Sequence, residues 1–175
     1  MNTILKTQRL NIRFMAEDDW KSLIRIWDDF SHSKYAKYDV PHTLNETEVQ
    51  RMVKRWADAS PQKEHMFFAV CLENEIIGYN EFHKDADGYE CGYCFHSSSQ
   101  GKGYAKENLQ ALMKLLSNGY KTRYSAGTAL NNLPSVRLLK SLGFEKVSEE
   151  QVSFYKDESG EDIYFTGGIF AIEIE

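Results

Sequence analysis

Between His65 and His96 three strand-like runs follow one another with only tight turns between them, and the third leads through a glycine-rich turn into a helix. This succession restricts the fold more than any other feature of the chain. "HMFFAVCLE" (His65 to Glu73) is an apolar run that suits a buried strand. "NEIIGYNEFH" (Asn74 to His83) reads as the next strand, after a turn at Glu73–Glu75. "YECGYCFH" (Tyr89 to His96) follows "DADG" (Asp85 to Gly88), a hairpin turn by composition. Turns this short force antiparallel neighbours, whereas a strand–helix–strand passage allows parallel ones. That passage comes next: a helix with Ala105, Leu109, Leu112 and Leu116 on one face, then the short strand "TRYSAGTA" (Thr122 to Ala129).

The flanks complete the pattern. "RLNIRF" (Arg9 to Phe14) alternates like a strand. Trp20, Leu23, Ile24 and Trp27 recur at helical spacing behind Glu17, Asp18 and Asp19, acids that suit a helix start. Ser31 to Thr43 has no period and reads as a loop. A second helix carries Val49, Met52, Val53 and Trp56, with Asn45 and Glu48 at capping-box spacing, and Pro61 closes it. A fourth helix starts at Asn132 with Pro134 in its first turn and stops at Gly143; two long strands follow, turning near Lys156 to Gly160. The order β, α, α, three strands, α, β, α, two strands predicts an α/β (α+β) fold, a mixed sheet with helices on both faces. With 175 residues and no linker or repeat, a single domain over residues 1–175 is expected.

Charge narrows the partners. The formal net charge of −5 leaves Lys and Arg outnumbered, which argues against nucleic acid and tolerates a cationic substrate. No run approaches the ~18 apolar residues of a membrane span, so no membrane partner is expected. The N-terminal stretch lacks the apolar centre of a secretory leader. Cys71, Cys91 and Cys94 are few and odd in number, as expected of reduced thiols in a cytoplasmic protein.

The glycine turn has two readings, a plain tight turn or a phosphate cradle. Gln100-Gly101-Lys102-Gly103-Tyr104-Ala105 stands between a strand and a helix, where bare N–H groups can hold a phosphate. It is not a Walker A loop, since Lys102 is followed by Gly103. Nor is it the dinucleotide fingerprint, whose sixth position is here Lys106. It fits Q/R-x-x-G-x-G/A.

Four segments in order resemble the GNAT acyltransferase superfamily, and within it the RimJ/RimL-like branch. They are "TQRLNIR" (Thr7 to Arg13), "ECGY" (Glu90 to Tyr93), "GKGYAKE" (Gly101 to Glu107) and Asn132 to Phe144. The resemblance implies an acyl-CoA N-acyltransferase fold, with a mostly antiparallel sheet that splays at two parallel strands, Tyr89–His96 and Thr122–Ala129. It implies acetyl-CoA in that V-shaped cleft, its pyrophosphate on the loop of Gln100, Gly101, Lys102, Gly103, Tyr104 and Ala105. Free N–H groups of Cys94, Phe95 and His96 would polarise the thioester carbonyl, with Asn132 and Ser135 beside the same arm. It further implies an acetyltransferase acting on a primary amine, either a protein N-terminus or a small amine, by direct attack, and a possible homodimer. The other reading is a catalytically silent acyl-CoA-binding or interaction module on the same fold.

The chain departs from the wider superfamily at Leu139, where many members carry an acidic tyrosine; the RimJ/RimL-like branch assigns the role to the serine that is here Ser135. For the base, alternation puts Glu90, Gly92, Cys94 and His96 on one strand face and Glu81 and His83 on one face of the strand before, with His83 and Glu90 close across the hairpin. Glu90 is the first candidate. His32, Tyr35 and Tyr38 lie in the irregular loop that builds the branch's acceptor pocket; they line it or pack the loop down. Cys91-x-x-Cys94-x-His96 suggests zinc, but the two cysteines point to opposite faces of a regular strand, so no metal is expected.

Overall fold

The computed structural model describes residues 3–175; the two residues before Thr3, part of the stretch read for a leader, lie outside the described residues. Its strands are β1 (Leu5–Lys6), β2 (Leu10–Phe14), β3 (His65–Leu72), β4 (Glu75–Lys84), β5 (Gly88–Phe95), β6 (Thr122–Ala129), β7 (Glu145–Lys156) and β8 (Asp162–Ile174). Its helices are α1 (Trp20–Ser31), α2 (Glu46–Ala59), α3 (Tyr104–Ser117) and α4 (Leu133–Ser141). The strands form one sheet in the order β1-β2-β3-β4-β5-β6-β8-β7. Every neighbouring pair is antiparallel except β5 and β6.

The mixed sheet with helices on both faces is as the sequence led us to expect. Strand β3 lies mid-sheet and is buried on both sides, which is why "MFFAV" runs apolar without alternation. On one face α1 and α2 cover Met15, Phe67, Ala69 and Tyr79 with Leu23, Ile26, Trp27, Val49 and Val53. On the other, α3 and α4 cover Phe68, Phe82, Cys91 and Tyr124 with Leu109, Leu112, Met113 and Leu139. A bidentate pair from Arg13 to Asp19, at 2.6 and 2.9 Å, ties β2 to the turn before α1. Both side chains are mostly buried, so removing one partner costs on the order of 3 kcal/mol.

Several local readings are revised. The two-residue strand β1 was not anticipated. The first long strand begins at Leu10 rather than Arg9. The loop after α1 holds a short 3-10 turn, Ala36–Tyr38. Asn45 does cap α2, accepting from the Glu48 N–H at 3.1 Å. The reciprocal half of the box is missing, because the Glu48 carboxylate accepts from the Thr43 hydroxyl at 2.7 Å instead. Strand β5 ends at Phe95, and β8 inserts between β6 and β7.

One junction positions everything that follows. The parallel strands β5 and β6 pair over three rungs only, Gly88↔Arg123, Tyr89↔Tyr124 and Glu90↔Ser125, and then separate. Gly88 permits the tight start, since a Cβ there would lie 1.9 Å from the Arg123 carbonyl oxygen.

Candidate active site

Past Glu90 and Ser125 the separating strands leave a cavity of about 730 Å³, within the size range of small-molecule sites. Its walls are Cys91–Phe95 of β5, Gly127–Ala129 of β6, the turn before α3, the start of α4 and, at one end, the loop after α1 with the β7–β8 hairpin.

The turn before α3 has a built-in polarity. Gly101 and Gly103 take left-handed φ values of 72° and 82°, open to glycine and costly to other residues. Among the described residues no side chain caps α3, so the first N–H groups of the helix have no side-chain partner there and carry the positive end of the helix dipole. The turn is braced from below. The Arg9 guanidinium donates to the Lys102 carbonyl at 2.9 Å, pairs with Glu107 at 2.7 Å and lies 4.6 Å over the Tyr104 ring. Thr7 donates to the same Glu107 carboxylate at 2.6 Å. Burial works against the Glu107 charge, but the hydrogen bonds from Thr7 and Arg9 hold its carboxyl below the usual range.

At the cleft's middle the Tyr93 hydroxyl and Ser135 Oγ lie 2.7 Å apart. Tyr93 comes from β5 and Ser135 from the first turn of α4, whose N-cap Asn132 accepts from the Ser135 N–H at 3.4 Å. Burial pushes the Tyr93 phenol upward, so it is neutral at physiological pH. Cys91 and Cys94 also line the cleft; burial pushes both thiols up to about 12, which leaves no thiolate to act as a nucleophile.

The far end holds aromatic rings and the Asp39 carboxylate, and Glu150 of β7 also lines the cavity. Tyr35, Tyr38 and Asp39 of the loop face Val152 and Phe154 of β7 and Phe165 of β8. Tyr38 and Phe165 meet edge-on at 5.3 Å, and the Tyr155 hydroxyl donates to the Ala36 carbonyl at 3.3 Å, which fastens the loop to the hairpin. Burial, reinforced by the nearby Glu81 charge, raises the Asp39 carboxyl, while His42, 3.9 Å away, is lowered chiefly by burial. Both shifts favour the uncharged forms. His42 also stacks on Trp27 at 4.4 Å.

With this geometry in place, comparison with known proteins is decisive. The family described as acetyltransferase (GNAT) domain matches residues 9–145. The chain belongs to the GNAT acetyltransferase family. The uncharacterized N-acetyltransferase p20 of Bacillus licheniformis is 30% identical over 151 residues, covering 81% of this chain and 82% of that protein. A GNAT-family acetyltransferase of Bacillus anthracis superposes with TM-score 0.75 at 27% identity over 96% of both chains. RimL, a ribosomal L7/L12 α-N-protein acetyltransferase solved with coenzyme A, shares the fold with TM-score 0.82 at 18% identity, covering 99% of this chain and 98% of that one.

In this GNAT acetyltransferase the sequence-predicted residues divide into two groups. Cys94, Phe95, Gln100, Gly101, Gly103, Tyr104, Ala105, Asn132, Ser135, Tyr35 and Tyr38 line the one cavity. His96, Lys102, Glu90, Glu81, His83 and His32 stand outside its lining. His32 closes the end of α1, its Nδ1 2.7 Å from the Asp28 carbonyl. Glu90 is exposed and sits opposite His83 in the ladder. Glu81 folds over Gly92, its Oε1 2.5 Å from where a Cβ would stand, and its Oε2 lies 3.7 Å from His83 Nε2. The expected trio of free N–H groups is reduced. The His96 N–H donates to the Ile77 carbonyl at 3.0 Å, and alternation along the strand turns the Cys94 N–H the same way. Of the three, only the Phe95 N–H faces the open side. Gln100 is likewise engaged, donating its amide to the Phe95 carbonyl at 2.9 Å. Cys91 packs under α3 while Cys94 packs toward α1 and α2, so the two cannot share a metal. The described residues hold no cluster of three or more metal-ligating side chains.

Sequence reasoning missed Tyr93, Asp39 and the Thr7–Arg9–Glu107 brace. Tyr93 alternates with Glu90, Gly92 and Cys94 and lies on the opposite face, the one toward α4. The signal that would have found it is a hydroxyl two residues before the end of the strand that feeds the glycine turn.

Proposed function

We propose that this acetyltransferase moves the acetyl group of acetyl-CoA to a primary amine by direct attack in a ternary complex. One observation carries the reading: the parted edges of β5 and β6, the uncapped start of α3 and the Tyr93–Ser135 pair open into one cavity. The pyrophosphate would rest on the N–H groups of Gly101 to Ala105. The pantetheine amides would pair with the free edge of β5 as an added strand. The thioester would then lie between the Phe95 N–H, which polarises its carbonyl, and Asn132 and Ser135. That RimL binds coenzyme A on this fold supports the donor assignment.

The acceptor enters from the aromatic end. Tyr35, Tyr38, Phe154 and Phe165 with Asp39 suit a group that arrives as a cation. Of the two lining carboxylates, Asp39 beside the aromatic rings is the one to take its proton, ahead of the exposed Glu150 and Glu90. The acceptor is a protein N-terminal amine or a small amine. The two differ in need: at pH 7 an α-amine of pKa about 7.8 is roughly one-seventh neutral, a lysine-type amine of pKa about 10.4 only about 0.04%. The test is release of thiol from acetyl-CoA against a panel of peptide N-termini, polyamines and amino sugars. Release with a subset identifies the acceptor. Binding of CoA without release with any amine makes the chain a silent binding module.

A further inference from the structure

The hydroxyl that many members of the wider superfamily carry in the helix after β6 is absent here, because Leu139 occupies that place and is fully buried under the sheet. A second hydroxyl nevertheless reaches the middle of the cleft, from the opposite wall. Tyr93, past the last β5–β6 rung at Glu90↔Ser125, extends from β5 to within 2.7 Å of Ser135 Oγ on the first turn of α4.

The chemistry of the two groups sets the direction of that bond. A phenol is the more acidic hydroxyl, and its oxygen lone pair is drawn into the ring. It is therefore the better donor, and the alkyl hydroxyl the better acceptor. With the Tyr93 proton directed at Ser135 Oγ, the serine proton is turned away from the pair. Ser135 Oγ makes no other hydrogen bond among the described residues. The remaining space in front of it is the cavity.

We propose that Tyr93 is a positioning residue for the departing thiolate: it donates to Ser135 Oγ and so aims the Ser135 hydroxyl proton at the sulfur. This rests on the acetyl-CoA reading of the cleft. In the step itself the amine nitrogen bonds to the acetyl carbon, the carbonyl oxygen takes and then returns an electron pair, and the C–S bond breaks with its pair left on sulfur. The ammonium proton passes to the base, and the thiolate takes its proton from water on leaving. Tyr93 keeps its proton throughout. A phenol of ordinary pKa about 10 lies ~1.5 units above a thiol of about 8.5, so complete transfer along the pair is uphill by at least ~30-fold. Hydrogen bonding, rather than relay, is what the pair supplies.

The experiment is a double-mutant cycle on Tyr93→Phe and Ser135→Ala, with CoA affinity measured alongside. Tyr93→Phe keeps the ring and should lower kcat by about threefold to tenfold, with the Kd for CoA within twofold of wild type. Ser135→Ala should lower kcat further, and the double variant should match Ser135→Ala. Ser135→Thr, which retains a hydroxyl, should retain the dependence on Tyr93. Across acetyl thioesters of rising thiol pKa, the loss in Tyr93→Phe should grow, a trend that a packing role would not produce. Wild-type kcat in Tyr93→Phe, or losses that multiply in the double variant, overturns the pair and leaves acetyl transfer standing. A wild type that releases no thiol with any amine overturns both readings.

Discussion

Arg9 and Glu107, 98 residues apart in sequence, meet in an ion pair of 2.7 Å that fastens the approach to β2 onto the first turn of α3. Glu107 is an acid close to where a pyrophosphate would sit, so Arg9 both braces the turn and neutralises a charge that would oppose the ligand. Arg9→Ala should weaken CoA binding by about tenfold. Acetyl-pantetheine, which lacks the phosphates, should bind as before. Glu107→Gln in the Arg9→Ala background should recover part of the loss, as calorimetry would measure. No recovery would reduce the pair to a mechanical brace.

The same carboxylate gives a pH dependence. The folded-state pKa of Glu107 is lowered, so its contribution is fully present above the unfolded value of about 4.3 and is lost as pH falls through the folded value. Thermal melts of wild type and Glu107→Gln should differ at pH 7 and converge toward pH 3. Arg9 is 41% exposed, so the difference at pH 7 should be under ~1 kcal/mol.

Gly103→Asp should abolish the rise in Tm that CoA gives the wild type. The substitution adds a negative charge at the phosphate turn and forces a φ of 82° on a residue with a Cβ, a strain of about 1–2 kcal/mol. A retained ligand shift would remove this turn from the site.

Leu139→Tyr should destabilise the protein without raising kcat. The side chain is fully buried among Leu112, Phe144 and Phe170, and overpacking there costs about 1–3 kcal/mol, or about 2–4 °C in Tm per kcal/mol in a domain of this size. A gain in turnover would show that the position faces the cleft after all.

Asp39→Asn should lower kcat/KM and flatten the acid limb of the pH–rate profile, while Glu90→Gln should superimpose on wild type. A base works only when ionised. With the Asp39 pKa raised above its ordinary value of about 3.9, activity should rise with pH through that raised value. The reverse pattern, a loss confined to Glu90→Gln, would move the base to the exposed edge of β5.

What the sequence revealed follows from how local each signal is. The apolar run of β3, the Asn132 cap and the glycine turn at 101 and 103 are consequences of neighbouring residues, and each was legible. The two residues of β1 carry no period to detect. The insertion of β8 between β6 and β7 is a choice of partner, which strand patterning does not encode. The capping-box spacing of Asn45 and Glu48 identified the cap but not that Thr43 would take the Glu48 carboxylate. Tyr93 and Glu90 differ by an odd number of positions, so a search along the Glu90 face passed over the hydroxyl on the other. Asp39 and His42 lie in an aperiodic loop, where contacts with distant elements (His42 on Trp27 of α1, Tyr38 on Phe165 of β8) define what they face.

The three rungs between β5 and β6 divide the sheet into two plates, five strands on one side and three on the other, held along a strap at one end. Beyond the strap the sheet has a seam, and a donor whose amides lie along β5 would serve as the missing strand. Occupancy then becomes part of the sheet's cohesion. The smaller plate, which carries Gly127–Ala129 and the hairpin wall of the acceptor end, should exchange its backbone hydrogens as a unit separate from the larger plate, and CoA should slow that unit most.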